Sequence, residues 1–496
     1  MSIQKQPVEN LALLLLRARK DFASNPAVVV GDEELSYLQL FRRAMHYRHL
    51  LKASGIVSGD CVGVYFEKSI ETLPVIYGIL LAGAVFVPLE RGNPPKRIAD
   101  QIQLAQIKIV VSSTELIEKI QAILCDLKIV ELLDSQIDSA SFDREISEAD
   151  LPGSNEVAYV LFTSGSTGQP KGARLTHRNA LSFLYWARDL LTPESSDIFA
   201  NHAPLQFGIS IFDLFLPAIS GSRVHLLPET LKFHARFLAE YIASHRINIW
   251  YSVPTAIIQM IDRGRLLDLK HEFKYILYAG EVFAEEPLKK VRDRYTRAKI
   301  FNFYGNTETN VVSFHEIKEV KKGESRIIGE PASGDELLIK DDELVGELVV
   351  RGPTVMRGYT GSPEIENATY YTGDIVEKNS DGEFVYFGRR DSMVKISGIR
   401  MNLLEVEAVV SKCAGVSECL VIFEEGELHV LASLDPAAGK AISLSQLRAH
   451  CAEYLPKQIR IDGFIEVSEF PLNANGKKDR LKAKENFLAS LKRPLG

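Results

Sequence analysis

The sequence predicts an α/β protein with a large N-terminal domain of layered sheets, including a small β subdomain, and a small α+β C-terminal domain. Three observations support this prediction. The chain of 496 residues is longer than one domain of roughly 100–200 residues. Short β-branched runs alternate with helix-length segments through the first three-quarters of the chain. The part after residue 390 has an αβ pattern of its own, so we place the domains at 1–390 and 391–496.

The strands of the large domain are predicted from short runs rich in β-branched and aromatic residues. Strands that are covered by helices on both faces are apolar along their whole length, which is the pattern of a parallel sheet. The runs lie at 28–30, 61–65, 85–89, 107–112, 157–163, 247–252, 275–279 and 299–303.

Two apolar tracts could be mistaken for targeting or membrane segments. The run 11–16 is short, is followed by basic residues and lacks a cleavage pattern, so it predicts a helix that packs on the body of the protein. The tract 73–89 is interrupted by two prolines and two glycines, which favours a buried helix followed by a strand. We expect no transmembrane segment.

The pattern changes after about residue 335. Closely spaced strands bounded by turn dipeptides predict the β subdomain, at 336–340, 347–351 and 384–387. The C-terminal domain is predicted from segments at 404–413, 418–423, 428–434 and 444–454.

Charge and cysteine content exclude several classes of protein. The formal net charge is −7, which provides no basic surface for nucleic acid. The five cysteines are scattered and form no Cys-x-x-Cys pair, so neither a disulfide framework nor a cysteine metal site is expected. We therefore expect a cytoplasmic protein without nucleic-acid or membrane partners.

A loop of hydroxyl and glycine residues follows the predicted strand 157–163. The stretch 163–172 reads Thr-Ser-Gly-Ser-Thr-Gly-Gln-Pro-Lys-Gly. Its backbone N–H groups, hydroxyls and lysine ammonium can all bind phosphate oxygens. Pro170 stands where a Walker loop has its second glycine, so that class is excluded. On this loop alone, a flexible surface turn is an alternative.

The order of residues in this loop resembles the phosphate loop of the adenylate-forming superfamily, which includes acyl-CoA synthetases, luciferases and nonribosomal peptide adenylation domains. Further motifs extend the resemblance over essentially the whole chain, at 35–40, 81–89, 302–308, 346–352, 358–359, 371–374, 388–400 and 471–477. The motifs are closest to those of freestanding peptide-synthetase adenylation enzymes and D-alanyl carrier protein ligases. The resemblance implies ATP and Mg²⁺ as cofactors, an acyl-adenylate product and a mobile C-terminal domain.

The resemblance also assigns the nucleotide site. Tyr304 would stack on adenine, Thr307 would contact the α-phosphate and Glu308 would hold Mg²⁺, a cation that prefers oxygen ligands. Asp374 and Arg389 would reach the ribose. Each of these residues has a simpler alternative, as a turn residue or a solvated charge. The other implied nucleotide-binding residues are Thr163, Ser164, Gly165, Ser166, Thr167, Gly168, Lys171, Gly280, Glu281 and Gly305.

Lys477 matches the catalytic lysine of the superfamily, although by itself it would be one charge of a solvated basic tail. An ammonium between a carboxylate and a triphosphate lowers their repulsion. The resemblance further implies a hinge at Asp391 and a path for a pantetheine thiol along Lys395 and Gly398.

The acid pocket departs from the superfamily pattern at one position. Adenylation domains that take amino acids have a Phe-Asp pair whose aspartate binds the α-ammonium, but here Phe207 is followed by Gly208. A buried ammonium without a carboxylate partner is strongly unfavourable, so we predict an acid without a recognised α-amine: short, branched, flat or α-keto. A shifted alignment, in which Asp213 holds an amine, stays open. The other pocket positions are Ile209, Phe212, Tyr251, Leu277, Ala279, Phe303, Val311 and Val312.

The predicted function is that of a freestanding ligase that adenylates an acid and loads it onto the phosphopantetheine of a separate carrier protein. Three enzymatic alternatives differ in the acceptor or the acid: coenzyme A as the thiol, luciferase-like oxidation of the adenylate, and an amino acid with a relocated amine partner. A catalytically silent binding protein is the alternative from another class. Secondary metabolism, including antibiotic biosynthesis, fits the family.

Overall fold

The computed structural model describes residues 9–123, 128–131, 146–164, 170–228, 230–231, 234–342, 344–389, 393–396, 399–434, 442–471 and 480–491. The chain divides into two compact units. The larger unit comprises Met1–Arg91, Ala99–Thr163 and Lys171–Arg390, and the smaller one comprises Gly92–Ile98, Ser164–Pro170 and Asp391–Gly496. The predicted α/β fold class is confirmed, and the predicted domain boundary at residue 390 stays a prediction.

The helices of the described residues are α1 Leu11–Asp21, α2 Tyr37–Ala53, α3 Thr72–Leu81, α4 Pro95–Leu104, α5 Thr114–Ile123, α6 His177–Leu191, α7 Ile209–Ser220, α8 Ala235–Ser244, α9 Pro254–Asp262, α10 Glu285–Arg294, α11 Leu403–Val410, α12 Leu444–Ala452 and α13 Arg480–Leu491.

The strands of the described residues are β1 Pro26–Val30, β2 Glu33–Ser36, β3 Cys61–Tyr65, β4 Val85–Pro88, β5 Ile109–Ser112, β6 Lys128–Glu131, β7 Val157–Ser164, β8 Pro170–Thr176, β9 Ile198–Asn201, β10 Arg223–Leu226, β11 Ile249–Ser252, β12 Tyr275–Ala279, β13 Lys299–Tyr304, β14 Ser313–Glu316, β15 Ile327–Pro331, β16 Glu336–Ile339, β17 Val345–Arg351, β18 Gly358–Tyr359, β19 Thr369–Lys378, β20 Phe384–Arg389, β21 Met393–Ile396, β22 Ile399–Asn402, β23 Val416–Glu424, β24 Glu427–Leu434 and β25 Gly463–Glu466.

Helix ends in the larger unit follow local sequence signals. At the start of α2, the Ser36 hydroxyl accepts a hydrogen bond from Gln39 N at 3.3 Å, and Gln39 Oε1 accepts one from Ser36 N at 2.8 Å. Helix α7 ends at Gly221, whose φ of 72° is left-handed, and a methyl group on this residue would lie 2.4 Å from the Phe22 ring. Glycine is therefore required at that position.

Two large sheets build the larger unit. One sheet has the strand order β18-β8-β7-β4-β3-β5-β6, and the other has the order β16-β17-β19-β20-β15-β14-β13-β12-β11-β9-β10-β1-β2. In the shorter sheet, β3 pairs in parallel with β4 and β5. In the longer sheet, the successive neighbours β10, β9, β11, β12 and β13 are parallel. The prediction of largely parallel, buried strands is confirmed for these segments.

The two faces of the longer sheet have different cores. One face shares a core with the second sheet and with α1, α2, α3, α6 and α7, while the opposite face packs against α8, α9 and α10. The strands of the predicted β subdomain form their own core but continue the same sheet, because β15 pairs with both β14 and β20. Hydrogen bonding thus joins the predicted β subdomain to the longer sheet.

The smaller unit contains a sheet of β23, β24 and β25, with β23 and β24 antiparallel and β24 and β25 parallel. Helices α11 and α12 contribute to one core and α13 to another. The described cysteines are all free, and burial raises the pKa of Cys451 to about 12. None of the helices in the described part of the chain is long and apolar enough to cross a membrane.

Candidate active site

The strands β11, β12 and β13 place the candidate site at one edge of the longer sheet. They run parallel, with Tyr251 opposite Leu277 and Ala279 opposite Phe303. Gly280 therefore follows directly on β12, near the end of β13. Ligands of open α/β sheets bind at the carboxyl ends of the strands. Gly280 and Tyr304, which are predicted nucleotide residues, thus lie at the ends of β12 and β13, which together with β11 carry the predicted pocket residues Tyr251, Ala279 and Phe303.

Tyr304, which ends β13, is hydrogen-bonded to the predicted ribose residue. Its hydroxyl donates to Asp374 Oδ2, and Asn306 Nδ2 donates to the same oxygen at 3.5 Å. Asp374 is only 3% exposed. Arg389 lies opposite Asp374 in the register of β19 and β20 and is described by its backbone alone. The structure thus brings together the residues that the sequence assigns to adenine and ribose.

The turn after β13 carries Thr307 and Glu308. A methyl group on Gly305 would lie 1.6 Å from Asn310 O, so the turn closes only with glycine at that position. Asn306 N donates to the Thr309 hydroxyl at 3.2 Å and fixes the turn from inside. Thr307 lies at the tip of this turn, partly exposed, and Glu308 is 1% exposed.

Glu308 is held by a tyrosine that the sequence motifs contain but to which we assigned no role. The Tyr359 hydroxyl donates to Glu308 Oε1 at 2.8 Å, and Met356 N donates to Glu308 O at 2.8 Å. Burial, followed by the charge of Glu308, raises the pKa of Tyr359. Tyr359 therefore remains a neutral donor to this carboxylate.

Tyr359 also connects Glu308 to Lys171, the lysine of the stretch 163–172. Strand β18 pairs with β8, so Tyr359 lies opposite Ala173, and Lys171 Nζ lies 5.4 Å from the centre of the Tyr359 ring. At the end of β7, the Thr163 hydroxyl donates to Lys171 O at 3.5 Å. A carboxylate at its hydroxyl and a lysine over its ring thus both neighbour one tyrosine.

This arrangement fits Mg²⁺ that arrives with a nucleotide. Magnesium is commonly held by one or two carboxylates together with substrate phosphates. Glu308 supplies one buried carboxylate, and Tyr359 links it to Lys171. Within the described ranges, no group of three or more His, Cys, Asp or Glu side chains could hold a metal ion.

Several predicted residues lie outside the described residues or are described by their backbone alone. Outside are Gly165, Ser166, Thr167, Gly168, Asp391, Gly398 and Lys477. The side chains of Ser164 and Lys395 are not described. The roles predicted for these residues stay predictions.

Glu281, after β12, is fixed by the start of α9. Its Oε2 accepts from Thr255 N at 3.1 Å and from the Thr255 hydroxyl at 2.5 Å. A carboxylate at a helix N-terminus is favoured by the helix dipole. The contacts of Glu281 therefore hold the loop that starts at Gly280.

Most predicted acid-pocket residues share one face of the longer sheet. Ring centres are 5.2 Å apart for Phe212 and Tyr251 and 5.6 Å apart for Tyr251 and Phe303, both in edge-to-face geometry. Leu277, Ala279 and Val311 belong to the same core, and Ile209 packs against it. Val312 is placed elsewhere, in the core of the β subdomain.

Trp186 is a residue of this cluster that the sequence reasoning missed. Its ring centre lies 5.3 Å from that of Phe303 and 5.2 Å from that of Phe314. It stands on α6 in a segment with ordinary helical periodicity, which gives no functional signal in the sequence.

Gly208 lies immediately before α7 in an ordinary conformation, with φ of −55° and ψ of −28°. Apart from its two chain neighbours, no heavy atom of the described residues lies within 4 Å of a methyl group built at this position. Phe207 precedes it, and its carbonyl accepts from the Ser210 hydroxyl at 2.6 Å. Neither the backbone nor the neighbouring atoms require glycine here.

Asp213, the alternative amine partner, is bound by other groups. It is 1% exposed, and Asn201 Nδ2 donates to its Oδ2 at 3.2 Å. Lys68 Nζ donates to Asn201 O at 3.0 Å. Burial raises the pKa of Asp213 well above its usual range, which the Asn201 bond and the charge of Lys68 only partly offset. A carboxyl that burial shifts toward the neutral form is a poor partner for an ammonium.

The chain is an adenylate-forming acid–thiol ligase, as its family and two similar ligases show. The chain belongs to the family of AMP-binding enzymes, whose model matches residues 15–360. The predicted family and enzyme class are thereby confirmed.

The chain is similar to two carrier-protein ligases over almost their whole lengths. An L-proline–L-prolyl-carrier protein ligase of Pseudomonas fluorescens is 35% identical, with 92% of this chain and 94% of the relative covered. A ligase of the same name from Streptomyces coelicolor is 32% identical, with 92% and 93% covered. The crystal structure of the Vibrio cholerae adenylation domain AlmE with glycyl-adenosine-5′-phosphate is 21% identical, with a TM-score of 0.82 and 99% of each chain covered.

Proposed function

We propose that this protein adenylates a carboxylic acid that lacks an α-ammonium and transfers the acyl group to the phosphopantetheine thiol of a separate carrier protein. The observation that carries the proposal is Gly208. The position has room for a side chain, yet no carboxylate is there to neutralise an ammonium. The other predicted pocket positions are all uncharged.

The nucleotide would bind at the edge of the longer sheet. Asp374, buried beside the Tyr304 hydroxyl, is the acceptor for ribose hydroxyls, and Lys171 is a cation for phosphate oxygens. Glu308, positioned by Tyr359, would hold Mg²⁺, which when bound would neutralise phosphate charge.

The adenylation step needs no nucleophilic side chain. A substrate carboxylate oxygen attacks the α-phosphorus, the new O–P bond forms, and the bond to the bridging oxygen breaks so that pyrophosphate leaves. Lys477 would lower the repulsion between the two anions. The thiolate of phosphopantetheine then attacks the acyl carbon and AMP leaves.

A carrier protein is favoured over free coenzyme A because of the relatives. Both ligases named above load a prolyl-carrier protein. A cytoplasmic enzyme of secondary metabolism is consistent with these relationships.

ATP–pyrophosphate exchange tests the first half-reaction. Purified protein with Mg²⁺ and ATP is offered amine-free acids and their α-amino counterparts of equal size, such as isobutyrate with alanine. We expect exchange with amine-free acids and little with amino acids. Exchange confined to amino acids would overturn the substrate class, and its absence with every acid would overturn adenylation.

The acceptor is tested separately by following acyl transfer to thiols. The adenylating enzyme is mixed with coenzyme A or with a phosphopantetheinylated carrier protein of the prolyl-carrier type, and the thioester is detected by mass spectrometry. We expect the carrier thioester to form at least about tenfold faster, since protein contacts orient its thiol. Equal or faster transfer to coenzyme A would identify an acyl-CoA ligase.

A further inference from the structure

The aromatic side chains of the acid pocket limit the length of the acyl group. Phe212 contacts Tyr251, and Tyr251 contacts Phe303, with ring centres less than about 6 Å apart, as in paired aromatic side chains. Phe303 is backed in turn by Trp186. A long chain could pass this cluster only by separating packed rings, which close-packed cores resist. We therefore expect a short acyl group, which leaves these packed rings in place.

The two carrier-protein ligases are named for proline, whose acyl group is a single five-membered ring with a charged nitrogen. In this chain the aromatic rings of the predicted pocket are packed against one another, and Gly208 stands where an aspartate would neutralise the charge. Asp213 does not replace it, because Asn201 binds its carboxyl group and burial disfavours its charge. The predicted pocket residues thus offer a ring of this kind uncharged neighbours but offer its ammonium no carboxylate partner.

We propose that the substrate is a flat, uncharged acid with one five-membered ring, of the class of pyrrole-2-carboxylate and furan-2-carboxylate. This inference rests on the proposed function and narrows its acid. The nitrogen of pyrrole carries no charge at neutral pH, since its lone pair belongs to the aromatic system. Such a ring needs no counter-ion, and the uncharged residues of the predicted pocket provide none.

The geometry of the aromatic rings favours a flat acyl group. The interplanar angles are 76° for Phe212 with Tyr251 and 74° for Tyr251 with Phe303, so ring edges and faces alternate around the cluster. An aromatic ring adds further edge-to-face contacts that a saturated ring cannot make. The Tyr251 hydroxyl stays protonated, because burial raises its pKa, and it is a neutral hydrogen-bonding group of the predicted pocket.

The test is ATP–pyrophosphate exchange with single-ring acids that differ in one property each. Pyrrole-2-carboxylate and furan-2-carboxylate are compared with benzoate for size, cyclopentanecarboxylate for flatness and L-proline for charge. We expect kcat/KM for the flat five-membered rings to exceed that for benzoate by about 10- to 200-fold and that for cyclopentanecarboxylate by about 2- to 10-fold. L-Proline should be poorest.

The outcomes separate this inference from the proposed function. Faster exchange with benzoate, cyclopentanecarboxylate or isobutyrate than with the flat five-membered rings overturns the ring inference and leaves an amine-free acid as substrate. Preference for L-proline overturns both. No exchange with any acid overturns adenylation itself.

A pair of variants tests whether the ring cluster sets the size limit. Phe212→Leu replaces an aromatic ring of the predicted pocket with a smaller side chain. Phe199→Leu makes the same change at a buried ring whose centre lies 5.7 Å from that of Phe212, and Phe199 is not a predicted pocket residue. We expect only Phe212→Leu to raise the benzoate to pyrrole-2-carboxylate ratio, by about tenfold. The ratio is independent of the fraction of folded protein, and equal ratios in both variants would refute the size argument.

Discussion

Gly208→Asp is the most direct test of the acid pocket. The structure has room for the new side chain, so the effect of its charge can be measured apart from the effect of its size. The backbone at residue 208 has φ of −55°, which any residue adopts, and a methyl group there meets no described heavy atom within 4 Å. The variant should therefore fold normally. An unpaired carboxylate next to an uncharged acyl group costs about 1–3 kcal/mol, which corresponds to roughly a 5- to 150-fold loss of kcat/KM. For L-proline the same carboxylate gains a partner, and kcat/KM should rise.

The assay is ATP–pyrophosphate exchange with one neutral acid and L-proline, measured for the wild type, Gly208→Asp and Gly208→Asn. Asparagine matches aspartate in shape and carries no charge, so it reports the effect of size alone. We expect the preference between the two acids to change strongly with aspartate and weakly with asparagine. Equal changes in both variants would show that size decides, and no change in either would place residue 208 outside the pocket.

The remaining predictions concern the metal ligand, the catalytic lysine and a buried carboxyl group. Tyr359→Phe removes the hydroxyl that donates to Glu308, a bond worth about 1.5–3 kcal/mol, and should raise the Mg²⁺ concentration for half-maximal exchange by at least about tenfold; an unchanged Mg²⁺ titration would exclude this positioning role. Lys477→Ala should lower exchange by orders of magnitude while ATP binding, measured by calorimetry, persists; near-normal exchange would remove Lys477 from catalysis. Burial raises the pKa of Asp335 to about 7, and Thr354 donates to it at 2.6 Å. Because the folded state holds this proton more tightly, stability should fall as pH rises from about 4 to 7. Asp335→Asn should therefore gain in unfolding free energy relative to the wild type between pH 5 and pH 8, as measured by urea denaturation, and a constant difference would contradict the assignment.

Much of the fold could be predicted because its strands are local apolar runs. Strands such as Tyr275–Ala279 and Cys61–Tyr65 have the bounds that the sequence suggests. The joining of the β subdomain to the longer sheet could not be predicted, since it depends on β15 pairing with strands on both sides. Such pairings are between segments far apart in sequence, which local periodicity does not encode.

The site shows the same division between local motifs and distant contacts. The motifs name Tyr304, Glu308 and Asp374, but the link from Glu308 through Tyr359 to Lys171 joins segments that are far apart in sequence. Trp186 is likewise defined only by the rings that it meets. The motif at 358–359 thus marks Tyr359 without revealing its partner, and no motif marks Trp186.

The glycines of the larger unit distinguish what the fold requires from what the pocket requires. At Gly305 and Gly221 a methyl group would lie 1.6 Å and 2.4 Å from neighbouring atoms, so any other residue would break a turn or a helix end. At Gly208 the backbone is ordinary and the space around it is open. Glycine is not required for folding there, and in the helical conformation of residue 208 it loses more chain entropy than a residue with a side chain. Folding therefore does not account for the missing carboxylate at this position. The proposed acid does, because an uncharged acyl group would be opposed by a carboxylate.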